Sequence, residues 1–345
     1  MFNERPLDYY RSLPKIELHR HLEGSLRLRT LLEIGRAHGV PLPGTGRLRE
    51  LVQIGEEDTL TFENFLSKFQ TLRMFYRSPE AIHRITQEAI ADAAEDNIRY
   101  MELRFTPIAL SRAENFPLAE VVDWVIAASA EAQKEYPIKV RLIVSVNRHE
   151  SADLASEIVK LAIDRRHQGI VGIDLAGNEA EFSGMAFLGV FKEARQAGMK
   201  ITIHAGEWGG AENVMNAILY LGADRIGHGV RVMEDPTVVA LARERGVPFE
   251  VCVTSNYQSG VVPSVAAHPL TRMIQNGLRV TLNTDDPSIS KITLSDEYRL
   301  AENELGLPPQ TLRDCVVTAA QAAFLPQEER DQLVQDILES YPMIA

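Results

Sequence analysis

Four short segments of this chain set histidines and carboxylates where a divalent metal and a proton-transfer site can be built. His19-Arg20-His21 places two imidazoles two residues apart. In an extended strand such residues point the same way, so both rings can face one ion. Taken alone, the pair reads equally as two hydrogen-bonding surface histidines. His204-Ala205-Gly206-Glu207 adds a third imidazole, with a carboxylate just beyond it that can reach a substrate instead of the metal. As an isolated feature, Glu207 also fits a helix N-terminal acid. Gly227-His228-Gly229 holds a histidine that core packing explains poorly, because its neighbours supply no bulk. Asn283-Thr284-Asp285-Asp286-Pro287 sets two carboxylates side by side. They repel unless a cation or a donor compensates; the alternative is a turn capping the next helix.

Counted together, His19, His21, His204 and Asp285 offer three imidazoles and one carboxylate. That set suits one zinc ion per subunit with a further position left for water. Bound zinc lowers the pKa of water to about 7 and so supplies hydroxide at neutral pH. Glu207, His228 and Asp286 then remain for handling protons.

Such a site needs several strand ends converging on one rim. Short apolar runs at residues 16–18, 100–105, 140–146, 171–175, 201–203, 225–226, 249–253 and 280–282 each lead into a polar or glycine-containing corner. Helical stretches at 79–95, 118–136, 151–168, 189–197 and 211–221 lie between them. Nearly all-apolar strands alternating with helices indicate a parallel sheet covered on both faces. Eight such units predict a (β/α)8 barrel over residues 1–345 as one domain, with chemistry at the carboxyl ends of the strands. An open doubly wound sheet is the alternative, but no G-x-G-x-x-G follows the first strand. Within 58–78, Phe62, Phe65, Leu66 and Phe69 share one helical face. This face can pack on the barrel, and it can also form a helical lid over the C-terminal rim.

The net charge of −12 argues against nucleic acid and anionic membranes as partners. The two cysteines, Cys252 and Cys315, form no C-x-x-C pair and read as buried fillers. No apolar run approaches the roughly 20 residues that cross a bilayer, and the N-terminus lacks a signal-peptide core, so a cytoplasmic enzyme is expected. Oligomeric state is not encoded in any motif. His38, His83, His149, His167 and His268 lack a strand-end placement and read as surface or structural.

Six segments, in order, resemble the adenosine deaminase family of the amidohydrolase superfamily. They are 14–25 (PKIELHRHLEGS), 174–179 (DLAGNE), 204–207 (HAGE), 225–229 (RIGHG), 254–256 (TSN) and 282–287 (LNTDDP). The resemblance implies a zinc-dependent purine aminohydrolase that converts adenosine or 2′-deoxyadenosine to the 6-oxo nucleoside and ammonia. It implies zinc on His19, His21, His204 and Asp285, with hydroxide oriented and deprotonated by His228 and Asp285. Glu207 would protonate N1, Asp286 would hold N7, and the Gly177 N–H would meet N3. Thr106 matches a position near the ribose. Glu23 departs from the pattern, since adenosine-specific members carry Asp there. Its extra methylene shifts the carboxylate by roughly 1.5 Å, which leaves adenine or a 5′-substituted adenosine, such as 6-aminodeoxyfutalosine, as the alternative substrate.

Two other readings compete. A two-metal amidohydrolase would carry a bridging lysine on the fourth strand, and 171–175 has none. The cytidine-deaminase type of zinc site needs P-C-x-x-C, which is missing. A non-catalytic barrel would tolerate loss of a ligand or an acid, and none is lost.

Overall fold

The computed structural model describes residues 5–342. Eight strands run parallel and neighbour one another in sequence order. They are β1 (Lys15–His21), β2 (Ile98–Phe105), β3 (Lys139–Asn147), β4 (Ile170–Ala176), β5 (Lys200–His204), β6 (Arg225–Gly227), β7 (Pro248–Val251) and β8 (Arg279–Leu282). Apolar side chains from every strand join the helices in one continuous core. The seam between β8 and β1 is closed by backbone contacts just past the end of β8. His21 N–H donates to the Asp285 carbonyl at 2.9 Å, and Asp285 N–H donates to the His19 carbonyl at 2.9 Å. Below them Leu18 N–H donates to Asn283 Oδ1 at 3.0 Å. The expected (β/α)8 barrel is therefore present, and the stitches that close it are made by site residues.

Helix starts follow the local chemistry. Ser78 accepts the Ala81 N–H at 3.2 Å, and Pro79 occupies the first turn of the helix Pro79–Glu95. The 58–78 segment forms a helix over Phe62–Leu72, whose Thr61 cap accepts from Asn64 N–H, followed by a 3-10 turn at Arg73–Phe75.

Several boundaries differ from expectation, beginning with β1, which spans Lys15–His21 instead of 16–18. β7 stops at Val251 instead of continuing to 253, because the buried Glu297 carboxylate accepts the Val253 and Thr254 N–H groups at 2.8 and 3.1 Å. Those donors start a short helix, Val253–Gln258, in place of a strand ladder. The 151–168 helix ends at Asp164, and Arg166–Gln168 form a 3-10 turn before Gly169 reverses the chain at φ +104°. The 211–221 helix widens to a π-turn at Ala217–Leu221. Both cysteines are buried and free, as expected, and no described helix is long and apolar enough to cross a membrane.

Glu297 holds the loop that follows β7, and burial pushes its carboxyl up from 4.5 to about 7. The folded chain keeps that proton where the unfolded chain has released it. The stability linked to Glu297 is therefore full below pH 4.5 and lost as the pH rises to about 7. Urea unfolding at pH 5 and pH 8 should show a pH-linked loss smaller by on the order of 3 kcal/mol in Glu297→Gln than in wild type. Equal losses in the two proteins would contradict this.

Candidate active site

Five side chains from four strand ends meet at the carboxyl face. His19 and His21 end β1, His204 ends β5, His228 follows β6, and Asp285 follows β8. His19 Nε2 and His21 Nε2 lie 3.2 and 3.3 Å from Asp285 Oδ1, and His21 Nε2 lies 3.2 Å from His204 Nε2. Ligand atoms about 2.0–2.1 Å from a tetrahedral ion sit roughly 3.3 Å from one another, so these spacings match a single ion. His19, His204, His228 and Asp285 also present ligand atoms all within 4.8 Å of one another. His228 is looser, with Nε2 at 3.9 Å from Asp285 Oδ2 and 3.6 Å from Glu207 Oε1.

Partners beneath the rim fix which ring nitrogen carries hydrogen. His19 Nδ1 donates to Glu250 Oε2 at 2.8 Å, and His204 Nδ1 donates to Asp174 Oδ1 at 2.9 Å. Both Nε2 lone pairs therefore face the cluster, and His19 Nε2 is buried with no hydrogen-bond partner among the described residues. Carboxylate-backed imidazoles of this kind are the usual support of a metal centre. The donor set and the orphaned nitrogen fit a divalent cation.

His228 is wired differently. The Leu270 N–H donates to His268 Nδ1 at 3.1 Å, which leaves His268 Nε2 as the donor to Asn256 Oδ1 at 3.2 Å. The Asn256 amide then donates to His228 Nδ1 at 3.1 Å. Three links from a backbone amide thus set hydrogen on His228 Nε2, pointing it at the site as a donor. His228 and Asp285 both hold positive φ, +58° and +64°, a conformation that non-glycine residues rarely adopt and that here aims both side chains inward.

The rest of the cavity, about 270 Å³, is lined by His21, Glu23, Thr106, Gly177, Glu207, Asp286 and others. Glu207 is buried, and desolvation first, then the Asp285 and Glu179 charges, raise its carboxyl well above the usual range. Glu179 pins the turn, accepting the Gly206 and Glu207 N–H groups at 3.0 and 2.6 Å. Burial and the adjacent Asp285 likewise raise Asp286, while the imidazoles hold Asp285 low against its own desolvation. A Cβ on Gly24 would lie 1.8 Å from Asp286 Oδ1, so only glycine lets that carboxyl sit there. Glu23 Oε1 accepts the Thr106 N–H at 2.6 Å, and its Oε2 is buried without a partner.

Every site residue expected from the sequence lies at this rim. Several that matter were not singled out there. Asp174, Glu250, Asn256 and His268 pair with other site residues or with one another; Asp174 and Asn256 lie inside the 174–179 and 254–256 segments, but no local pattern in the chain marks the pairings. His149 is exposed, as its surface reading expected, but it does follow a strand end and lines the cavity mouth with Asn147, Arg73, Phe182 and Trp208. Its position just after β3 was the available signal. Phe65, Leu66 and Phe69 also line the cavity, and Phe62 stacks near Trp208 with ring centroids 5.4 Å apart. The apolar face of that helix thus meets the site as well as the core.

Fold and site together define a barrel hydrolase with a divalent-metal centre at its carboxyl rim. The family model "Adenosine deaminase" matches residues 14–340. The chain is 37% identical over 330 residues to adenosine deaminase from Klebsiella pneumoniae, covering 94% of this chain and 98% of that one. Among solved structures, adenine deaminase from Arthrobacter aurescens superposes with a TM-score of 0.88 at 26% identity, covering 95% of this chain and 98% of that chain. The N6-methyl-AMP deaminase from Arabidopsis thaliana gives 0.85 at 29% identity, covering 97% and 98%. This chain belongs to the adenosine deaminase family.

If Asp174 orients His204, Asp174→Asn should weaken divalent-metal binding by about 10- to 100-fold without unfolding the barrel. Competition against a chromogenic chelator measures this; unchanged affinity would remove Asp174 from the support of the centre.

Proposed function

We propose that this protein is a zinc-dependent purine aminohydrolase acting at C6 of adenosine or 2′-deoxyadenosine. The observation that carries the reading is the pairing of a metal-type cluster with two buried carboxyls beside it whose protonated form burial favours. His19, His21, His204 and Asp285 would hold the ion, which when bound activates water and stabilises developing negative charge.

The remaining roles belong to the chain. Glu207, whose protonated form burial favours, delivers a proton to N1, making C6 electrophilic. The ring nitrogen N7 is an acceptor and needs a donor. Asp286, with its raised carboxyl, supplies an O–H there. The Gly177 N–H meets N3. Hydrogen on His228 Nε2 orients the attacking water, which leaves acceptance of its proton to Asp285, whose Oδ2 is held at 2.6 Å by Ser255. The His228 part is thereby donation instead of proton acceptance. Residues 62–75 serve as the cover that keeps bulk water from the buried carboxyls.

Glu23 favours a second reading in which the sugar side is modified. Its longer side chain is taken up by the Thr106 N–H, leaving Oε2 for a substrate hydroxyl. The adenine and N6-methyl-AMP deaminases among the structural relatives indicate that this architecture accommodates different groups on the purine.

Glu207→Gln should retain metal and lower turnover of adenosine by about 10²- to 10⁴-fold. Ultraviolet monitoring of the 6-amino to 6-oxo conversion, with metal content measured in parallel, tests it. Wild-type turnover in that variant would refute the role.

A further inference from the structure

The wall of the cavity away from the metal cluster carries a cation that the proposed chemistry does not use. Arg73, directly after the helix Phe62–Leu72, lines the cavity with Glu23, Thr106 and His149. Its Nε is buried and has no hydrogen-bond partner among the described residues. Other cations of the same segment reach carboxylate partners, although Arg77 Nε is likewise buried without one. Lys68 Nζ donates to Asp58 Oδ2 at 3.0 Å and to the Glu50 carbonyl at 2.8 Å, and Arg77 pairs with Glu114 at 2.7 Å. A guanidinium that lines a cavity and makes no hydrogen bond to the described residues keeps its donors available to a ligand.

Nearby acids do not fill that role. Glu23 Oε1 is committed to the Thr106 N–H, and burial raises its carboxyl toward the neutral form despite the Arg73 charge. Glu114 is held by Arg77, and Glu150, beside His149, is held by Arg112 at 2.6 Å. His149, partly exposed on the same wall, adds a ring nitrogen, and its partial burial lowers the imidazole from the usual range.

Geometry decides which part of a ligand would meet Arg73. With C6 at the cluster and N1 and N7 at Glu207 and Asp286, the family resemblance puts the sugar beside Glu23 and Thr106, which line the same cavity as Arg73. The reverse orientation would thrust an anion among Glu207, Asp285 and Asp286. We propose that Arg73 anchors an anion-binding subsite at the sugar end, so that 6-aminopurine nucleosides bearing a 5′-phosphate or 5′-carboxylate are preferred substrates. The planar guanidinium suits either group through paired N–H donors. This rests on the purine deaminase reading above and names its substrate class.

The test uses the metal-loaded enzyme with adenosine, its 5′-monophosphate, its 5′-carboxylic acid and the neutral 5′-carboxamide. Wild type should favour an anionic substrate over the carboxamide by about tenfold or more in kcat/KM, and Arg73→Gln should abolish most of that ratio. Arg73→Lys should retain part of it. The phosphate and carboxylate arms show which anion the subsite takes. Binding of inosine 5′-monophosphate and inosine 5′-carboxylate against inosine, followed by Trp208 fluorescence, reads the same preference without turnover. Equal handling of anionic and neutral compounds, or a ratio unchanged in Arg73→Gln, overturns the subsite. Failure to deaminate any of the four compounds would instead overturn the deaminase reading, while the product-binding arm would still judge the subsite.

Discussion

Beneath the metal-type cluster lies the buried Glu250 carboxylate, and much of the site depends on its contacts. Oε2 accepts from His19 Nδ1 at 2.8 Å and from Arg104 at 2.7 Å, while Oε1 accepts from Arg225 at 2.5 Å and Thr202 at 3.0 Å. Arg225 continues to Glu102, and Arg104 donates to the Leu18 carbonyl of β1. Charges fully withdrawn from water are tolerated only when paired and hydrogen-bonded. Here the pairing crosses the barrel interior from β7 to β1, β2, β5 and β6, so the same contacts that neutralise the charges fix the ring of His19.

That buried layer separates two jobs along the barrel axis. Around it, apolar side chains from the strands pack against the helices. Above it, the rim gathers groups whose protonation states are unlike those in water. Asp285 and Asp286 are neighbours in sequence, yet the imidazoles hold one low while burial and its partner's charge raise the other. A pair of carboxyls pushed apart in this way provides both an acceptor and a donor. The dry environment that separates them also requires a cover, and the aromatic face of the helix Phe62–Leu72 lies against the cavity where one is needed.

The same helix segment links chemistry to substrate choice. Phe65, Leu66 and Phe69 of its apolar face line the cavity, and Arg73 just beyond its last turn lines it too. On the proposed reading, a single element would both exclude water and sense what the sugar carries. Family membership leaves that second property open, because relatives of comparable fold act on a base, a nucleoside and a nucleotide.

Residue types and their spacing were enough to place the strands, the alternation with helices and the rim residues. The apolar runs are long enough to report burial on both faces, and His-x-His keeps its meaning wherever a strand is extended. Glycine at 24 was legible as part of a motif; why no larger residue fits became visible only with Asp286 against it. The sequence could not show that β7 would stop at Val251, because Glu297, which takes the next N–H groups, lies far along the chain. Nor could it show the path from Leu270 through His268 and Asn256 that sets hydrogen on His228. Local pattern records propensity and facing. Protonation, tautomer and an unpaired cation arise from which distant groups become neighbours after water has left, and that only tertiary packing decides.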